Sequence, residues 1–269
     1  MSTSRTPAVA GRFYPDNPQI LTADLKRYCP PHPAPKEARA IIVPHAGYPY
    51  SGACAGAVFS RTIISSPLVV LGPNHTGLGH PIALTARGHW ATPLGPLPID
   101  AELADALLRH LPNARDDHRA HLREHSIEVL LPFILHRQPQ ASFVPLCLAH
   151  LTLEQCRALG AALAQCLKDA PTPPLLVVST DMSHFLSATE AAARDAFAID
   201  AMVALDPERL YAEVHHKDIT MCGVIPTTVA LFAALDLGAS AGELIAYTHS
   251  GTVSGDHQRV VAYAGVVVS

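Results

Sequence analysis

Two stretches of the chain share one grammar, and it restricts the fold more than any other feature. In Ala40-Ile41-Ile42-Val43-Pro44-His45-Ala46-Gly47 a β-branched run predicts a buried strand, Pro44 ends its ladder, and His45 emerges past the strand's C-terminal end before a glycine turn. The order returns at Leu68-Val69-Val70-Leu71-Gly72-Pro73-Asn74-His75-Thr76-Gly77: strand, Gly-Pro stop, histidine, glycine. In open α/β sheets ligands bind beyond the carboxyl ends of the strands. Two imidazoles delivered to that edge can share a metal.

The rest of the chain fits the same plan. Strands are expected at 82–85, 142–148, 175–180, 244–248 and 260–268, and helices at 17–28, 52–64, 101–110, 126–137, 153–167, 188–205 and 224–235. Ser51 is placed to cap the 52–64 helix, and Ser126 to cap the one that follows it. Strands alternating with helices imply a layered α/β/α fold, mostly parallel, with an antiparallel edge near the end of the chain. With 269 residues, 49% hydrophobic and 16% charged, the chain can build a substantial core, and one domain over 1–269 is expected.

Composition narrows the partners. A formal net charge of −4 with no basic run leaves nothing to neutralise a phosphate backbone, which argues against nucleic acid. No stretch reaches 18 consecutive apolar residues, and the first 15 residues lack an apolar signal core, so neither membrane spanning nor secretion is expected. The six cysteines, at 29, 54, 147, 156, 166 and 222, are scattered without a CxxC pair, as in proteins of a reducing cytosol; a cytoplasmic location is expected.

Two further constellations carry chemistry. Val177-Val178-Ser179-Thr180-Asp181-Met182-Ser183-His184 ends another buried strand by presenting Asp181 and His184 at the same edge. A carboxylate beside an imidazole suits acid/base work, whereas the plainer reading has the pair capping the next helix. Cys222, in Met221-Cys222-Gly223-Val224, opens a helix, where exposed N–H groups favour a thiolate that can ligate a metal or act as a nucleophile. The alternative is an inert buried cysteine. His125, in Glu124-His125-Ser126-Ile127-Glu128, reads equally as a pocket residue and as surface. His32, His89, His110, His118, His136, His215 and His216 fall in loops or on polar helix faces and read as solvated.

Taken together, Ala8-Val9-Ala10-Gly11-Arg12-Phe13-Tyr14-Pro15, Val43-Pro44-His45-Ala46-Gly47-Tyr48, Leu71-Gly72-Pro73-Asn74-His75, Glu124-His125-Ser126-Ile127-Glu128, Ser179-Thr180-Asp181-Met182-Ser183-His184-Phe185, Cys222-Gly223 and Val261-Ala262-Tyr263-Ala264-Gly265 resemble, in order, the Memo family. Its bacterial and archaeal members are called AmmeMemoRadiSam system protein B. The resemblance implies a three-layer α/β/α sandwich with a mostly parallel, mixed sheet, like that of the class III extradiol dioxygenases, which are non-haem iron enzymes. It also implies a metal pocket of two histidines and a cysteine, here His45, His75 and Cys222, with Asp181 and His184 as the neighbouring polar pair.

The cofactor implied first is Fe(II), with copper or zinc as alternatives, because a thiolate in place of a carboxylate favours softer metals. The activity implied is an oxidase or dioxygenase acting on an unknown small substrate, with His184 oriented by Asp181 to move a proton. A second reading is a non-catalytic module binding a metal or a phosphorylated peptide, working with AMMECR1-like and radical SAM partners. A third, a zinc hydrolase, suits the ligand set but lacks an HExxH base.

Overall fold

The β-branched run at 40–43 lies in the middle of the molecule, in a computed structural model that describes residues 4–168, 170 and 173–269. The strands are β1 (Ser4–Arg5), β2 (Ala40–Val43), β3 (Leu68–Pro73), β4 (Ile82–Leu84), β5 (His89–Thr92), β6 (Gly95–Pro98), β7 (Arg115–Asp116), β8 (Phe143–Leu148), β9 (Leu175–Ser179), β10 (His184–Leu186), β11 (Gly242–His249) and β12 (Val260–Val268). Four of them, β2, β9, β3 and β8, lie side by side in parallel. Every residue of these four is buried, which is why their sequences are near-continuous apolar runs rather than alternating ones.

Antiparallel strands finish both edges. β4 pairs with β8 and carries β7 beyond it, while β12 pairs with β2 and also meets β11 and β10. The antiparallel edge expected near the end of the chain is this β11–β12 pair. A separate three-stranded sheet has the order β1-β5-β6.

Nine α-helices are described: α1 (Pro18–Tyr28), α2 (Tyr48–Arg61), α3 (Ala101–His110), α4 (Leu131–Arg137), α5 (Leu153–Lys168), α6 (Ala188–Val203), α7 (Pro207–His216), α8 (Val224–Asp236) and α9 (Gly251–Ser254). α2, backed by α1 and α4, packs on β2, β11 and β12. α8 packs on β2, β3 and β9 and is covered in turn by α5 and α7, so it is apolar nearly all round. Two helical layers therefore enclose a mixed sheet, the three-layer α/β/α sandwich.

The differences from the sequence reading have local causes. α2 starts at Tyr48, four residues before the expected 52, because Pro49 sits in its first turn and presets the helical φ. Ser51 is thus inside the helix, and its hydroxyl donates to Ala46 O at 2.8 Å instead of capping. Ser126 does not cap either, since its hydroxyl donates to Pro73 O. The expected 126–137 helix is a 3₁₀ turn at Glu128–Leu130 followed by α4, with Pro132 in the first α-helical turn. Gly72 and Pro73 do not end β3, which stays in register with β8 through Pro73 and Leu148. The chain after α6 turns at Leu205, φ 55°, and restarts as α7 under an Asp206 cap, a helix the periodicity at 188–205 did not announce.

Candidate metal centre

Because β9 lies between β2 and β3, three adjacent parallel strands end at one edge. β2 releases His45, β9 releases Thr180 and Asp181, and β3 releases Asn74 and His75. Two glycines let other segments close on this edge. A Cβ on Gly72 would stand 2.6 Å from Ser126 Oγ, so the absent side chain admits the 124–126 turn. A Cβ on Gly223 would stand 2.4 Å from Thr180 Cβ and 2.5 Å from Ser179 O, so its absence lets the start of α8 press Cys222 against the end of β9.

Three imidazoles converge. The ring centroids of His45 and His75 are 5.3 Å apart, those of His45 and His125 5.3 Å, and those of His75 and His125 4.7 Å. One nitrogen from each forms a set lying within 4.8 Å of one another. His45 is the floor, 2% exposed, whereas the side chains of His75 and His125 are 33% and 24% exposed, so the cluster opens to solvent on their side.

Hydrogen bonds fix which nitrogen each of two rings offers. His45 Nδ1 lies 2.7 Å from Ser179 Oγ, whose single proton is directed to Ser126 O at 2.6 Å. Ser179 must therefore accept from His45 Nδ1–H, which puts the lone pair of His45 on Nε2. His75 Nδ1 donates to Glu124 Oε1 at 2.9 Å and likewise carries its lone pair on Nε2. This is the carboxylate–histidine arrangement that orients metal-binding imidazoles and raises their basicity.

Glu124, 1% exposed, also accepts from the backbone N–H groups of His75, His125 and Ser126. Burial alone would raise its pKa, but the hydrogen bond and charge of His75 and the Ser126 N–H outweigh it and hold the carboxyl at about 2. The anion is thus available to both histidines at neutral pH.

Cys222 adjoins His45, with Sγ 3.4 Å from Nε2, and accepts the Asp181 N–H at 3.1 Å. Burial, and then the Asp181 charge, push its thiol up, the reverse of the helix-terminus effect expected from sequence. A cation in the pocket is what would favour the thiolate. Asp181 Oδ1 accepts from the N–H groups of His45 and Ala46, at 2.8 and 3.3 Å, while Oδ2 faces His45 Nε2 at 4.0 Å. Burial raises its pKa as well. Burial and the neighbouring charges of His125, His75 and His184 push His45 well down, so it stays a neutral donor.

His184 is oriented by a different group from the one expected. Its backbone N–H donates to Thr220 Oγ1 at 2.7 Å and its Nδ1 lies 3.0 Å from Thr220 O, whereas the hydrogen bonds of Asp181 go to the 45–46 backbone and to Cys222. A carbonyl only accepts, so His184 carries a proton on Nδ1. The next residue, Phe185, holds φ 62° and turns its ring outward, 63% exposed, under the Arg259 guanidinium.

The structure therefore brings His45, His75 and His125 into one group and sets Cys222 and Asp181 on the His45 side of it. Sequence reasoning missed Glu124, Ser179 and Thr220. Glu124 stood inside a quoted motif, and its only sequence signal was a carboxylate directly before a candidate histidine.

The family profile described as Memo-like protein matches residues 5–267. A MEMO1 family protein of Aquifex aeolicus is 42% identical over 266 residues, covering 98% of each chain. MEMO1 family proteins of Methanopyrus kandleri and Methanosarcina mazei are 38% and 36% identical, again over 98% of both chains. Among solved structures, an uncharacterized protein, JW3007, from Escherichia coli K12 overlays with a TM-score of 0.46 at 14% identity, covering 86% of this chain and 100% of that one. With a profile spanning the fold from β1 to β12 and relatives similar over their whole length, this chain belongs to the Memo family.

Proposed function

We propose that the pocket holds a divalent transition metal, Fe(II) first, on His45 and His75, with His125, Cys222 and Asp181 as the groups that complete the donor set. One observation carries this reading: two neighbouring imidazoles have their Nδ1–H groups committed to Ser179 and Glu124, so both rings carry their lone pair on Nε2 in a fixed orientation, with Cys222 Sγ 3.4 Å from that of His45. Imidazole donors suit iron, copper and zinc alike, and a carboxylate beside two histidines is the set that iron oxygenases use. The Asp181 oxygen 4.0 Å from His45 Nε2 therefore favours iron, and the neighbouring Cys222 sulfur makes copper the second choice.

When bound, such a metal supplies an open coordination position at which oxygen can be reduced and a small substrate oxidised. The protein's own residues do the rest. Ser179 and Glu124 hold the ligand rings, so little reorganisation accompanies binding. His184 offers Nε2 to take a proton from a bound substrate, with Thr220 keeping the ring oriented. His75 and His125 form the exposed side through which a small molecule enters.

Anaerobic loading of the purified protein with one equivalent of Fe(II), copper or zinc tests the proposal. Near-stoichiometric Fe(II) in the wild type, lost in His45→Ala and His75→Ala and followed by oxygen uptake on exposure to air, is expected. No retained metal of any kind overturns it. Retained metal without oxygen uptake makes the centre a binding module instead, and zinc retention with ester cleavage makes it a hydrolase.

A further inference from the structure

The segment that supplies Glu124 and His125 is gripped from behind by the start of the chain. Arg5, 7% exposed, uses one edge of its guanidinium on two backbone carbonyls: Nε donates to His121 O and Nη2 to Glu124 O, both at 2.7 Å. Its Nη1 pairs with Glu128 Oε2 at 2.7 Å, and its Cζ lies 4.2 Å from the Trp90 ring centre. Glu128, fully buried, also accepts from Ala8 N, Val9 N and Tyr14 Oη. Between those anchor points Phe13 lays its ring on His125, centroids 4.8 Å apart. The strap from 5 to 14 thus fixes both ends of the 121–128 segment.

We infer that Arg5 is a positioning residue for the Glu124–His75 pair: its fork on the carbonyls of His121 and Glu124, with Glu128 as counter-ion, sets the turn from which Glu124 reaches the His75 imidazole. The inference deepens the metal-site reading and rests on it only for its effect on metal affinity. Only a planar fork serves here. A lysine keeps the charge opposite Glu128 but cannot span two carbonyls three residues apart. With the turn loosened, the Glu124 carboxylate no longer meets His75 Nδ1 at a fixed angle, and the ring is free to change tautomer.

The test uses metal-free, ¹⁵N-histidine-labelled full-length protein and long-range ¹H–¹⁵N spectra, which report the tautomer of each ring. In the wild type His75 is a single Nδ1–H tautomer. Arg5→Lys is expected to populate both tautomers of His75 and to weaken Fe(II) binding about 10–100-fold, the usual effect of losing a group that orients a ligand. Leu25→Ala, buried in α1, which packs on α2 and α4, serves as a control for lost stability and should leave both readouts unchanged. Glu128→Gln loosens the grip from its other side and should act in the same direction.

A single Nδ1–H tautomer retained in Arg5→Lys, with only a lower melting temperature, overturns the inference. So does failure of both Arg5→Lys and Glu128→Gln to fold, since the ion pair would then be structural only. If the tautomer changes but the wild type binds no metal, the positioning role stands and the metal proposal falls.

Discussion

Single residues at this site owe their chemistry to neighbours far away in sequence. Glu124 carries four hydrogen bonds and a pKa of about 2, below the ordinary carboxylate value. Its stabilising contribution is therefore complete above the unfolded value of 4.5 and is lost as pH falls through about 2. His121 acts in the same direction from a different cause. It is 1% exposed, and neither ring nitrogen has a hydrogen-bond partner among the described residues, the Ala83 backbone approaching without meeting hydrogen-bond geometry. Burial, followed by the charge of Arg5, lowers its pKa to about 3. Between 6.5 and about 3 the unfolded chain binds a proton that the folded chain refuses, so acid destabilises the fold through His121. A partly open cavity of about 30 Å³ adjoins the ring, lined also by Arg5, Thr85, Trp90 and Leu122. His121→Phe should leave the melting temperature at pH 7 unchanged or higher, relieving an unsatisfied polar group worth about 1–3 kcal/mol. Its advantage over the wild type should widen as pH falls from 6.5 towards 3, and calorimetry across that range checks the sign.

At the scale of elements, the site depends on how closely α8 begins against β9. Gly223 precedes the helix, and Thr180 Oγ1 accepts its N–H at 2.9 Å. An added methyl would meet Thr180 and the Ser179 carbonyl at distances no folded backbone accepts. Gly223→Ala should cost about 1–3 kcal/mol by overpacking and displace Cys222 from His45. Urea unfolding measures the first effect. The second is expected as weakened binding of thiophilic copper, measured by competition with a copper-binding dye. Unchanged stability would mean that the helix start can slide without loss. The Pro49 start of α2 and the Asp206 cap of α7 show the same dependence on end chemistry. A helix body follows from periodicity, whereas its first turn follows from which residue satisfies the free N–H groups.

For the molecule as a whole, the proposed metal site makes metal binding and folding linked quantities. The proposed ligands His45, His75 and His125 come from the loops after β2 and β3 and from the 121–128 segment, so an unfolded chain cannot gather them. Fe(II) at 100 times its dissociation constant should stabilise the native state by about 2.7 kcal/mol, raising the melting temperature by roughly 5–10 °C. His75→Ala should lose that increment while melting normally in the absence of metal, and differential scanning fluorimetry under nitrogen measures both. An increment that survives in His75→Ala would place the metal elsewhere. Among the described residues no helix is long and apolar enough to cross a membrane.

The apolar runs at 40–43, 68–71, 143–148 and 175–179 by themselves determined a buried parallel sheet, because only strands covered on both faces can be apolar at every position. They also determined that His45 and His75 stand at one edge, since both follow parallel strands. Strand order was a matter for tertiary structure, and inserting β9 between β2 and β3 is what put Ser179 under His45. The same holds for His125, Glu124 and the Arg5 strap. Their segments have no period and no long apolar run, and they take their places by packing against Gly72 and by bonding partners more than a hundred residues away. A local pattern encodes which face of an element is buried. The contacts between loops that build this site are set only once the sheet has brought those loops together.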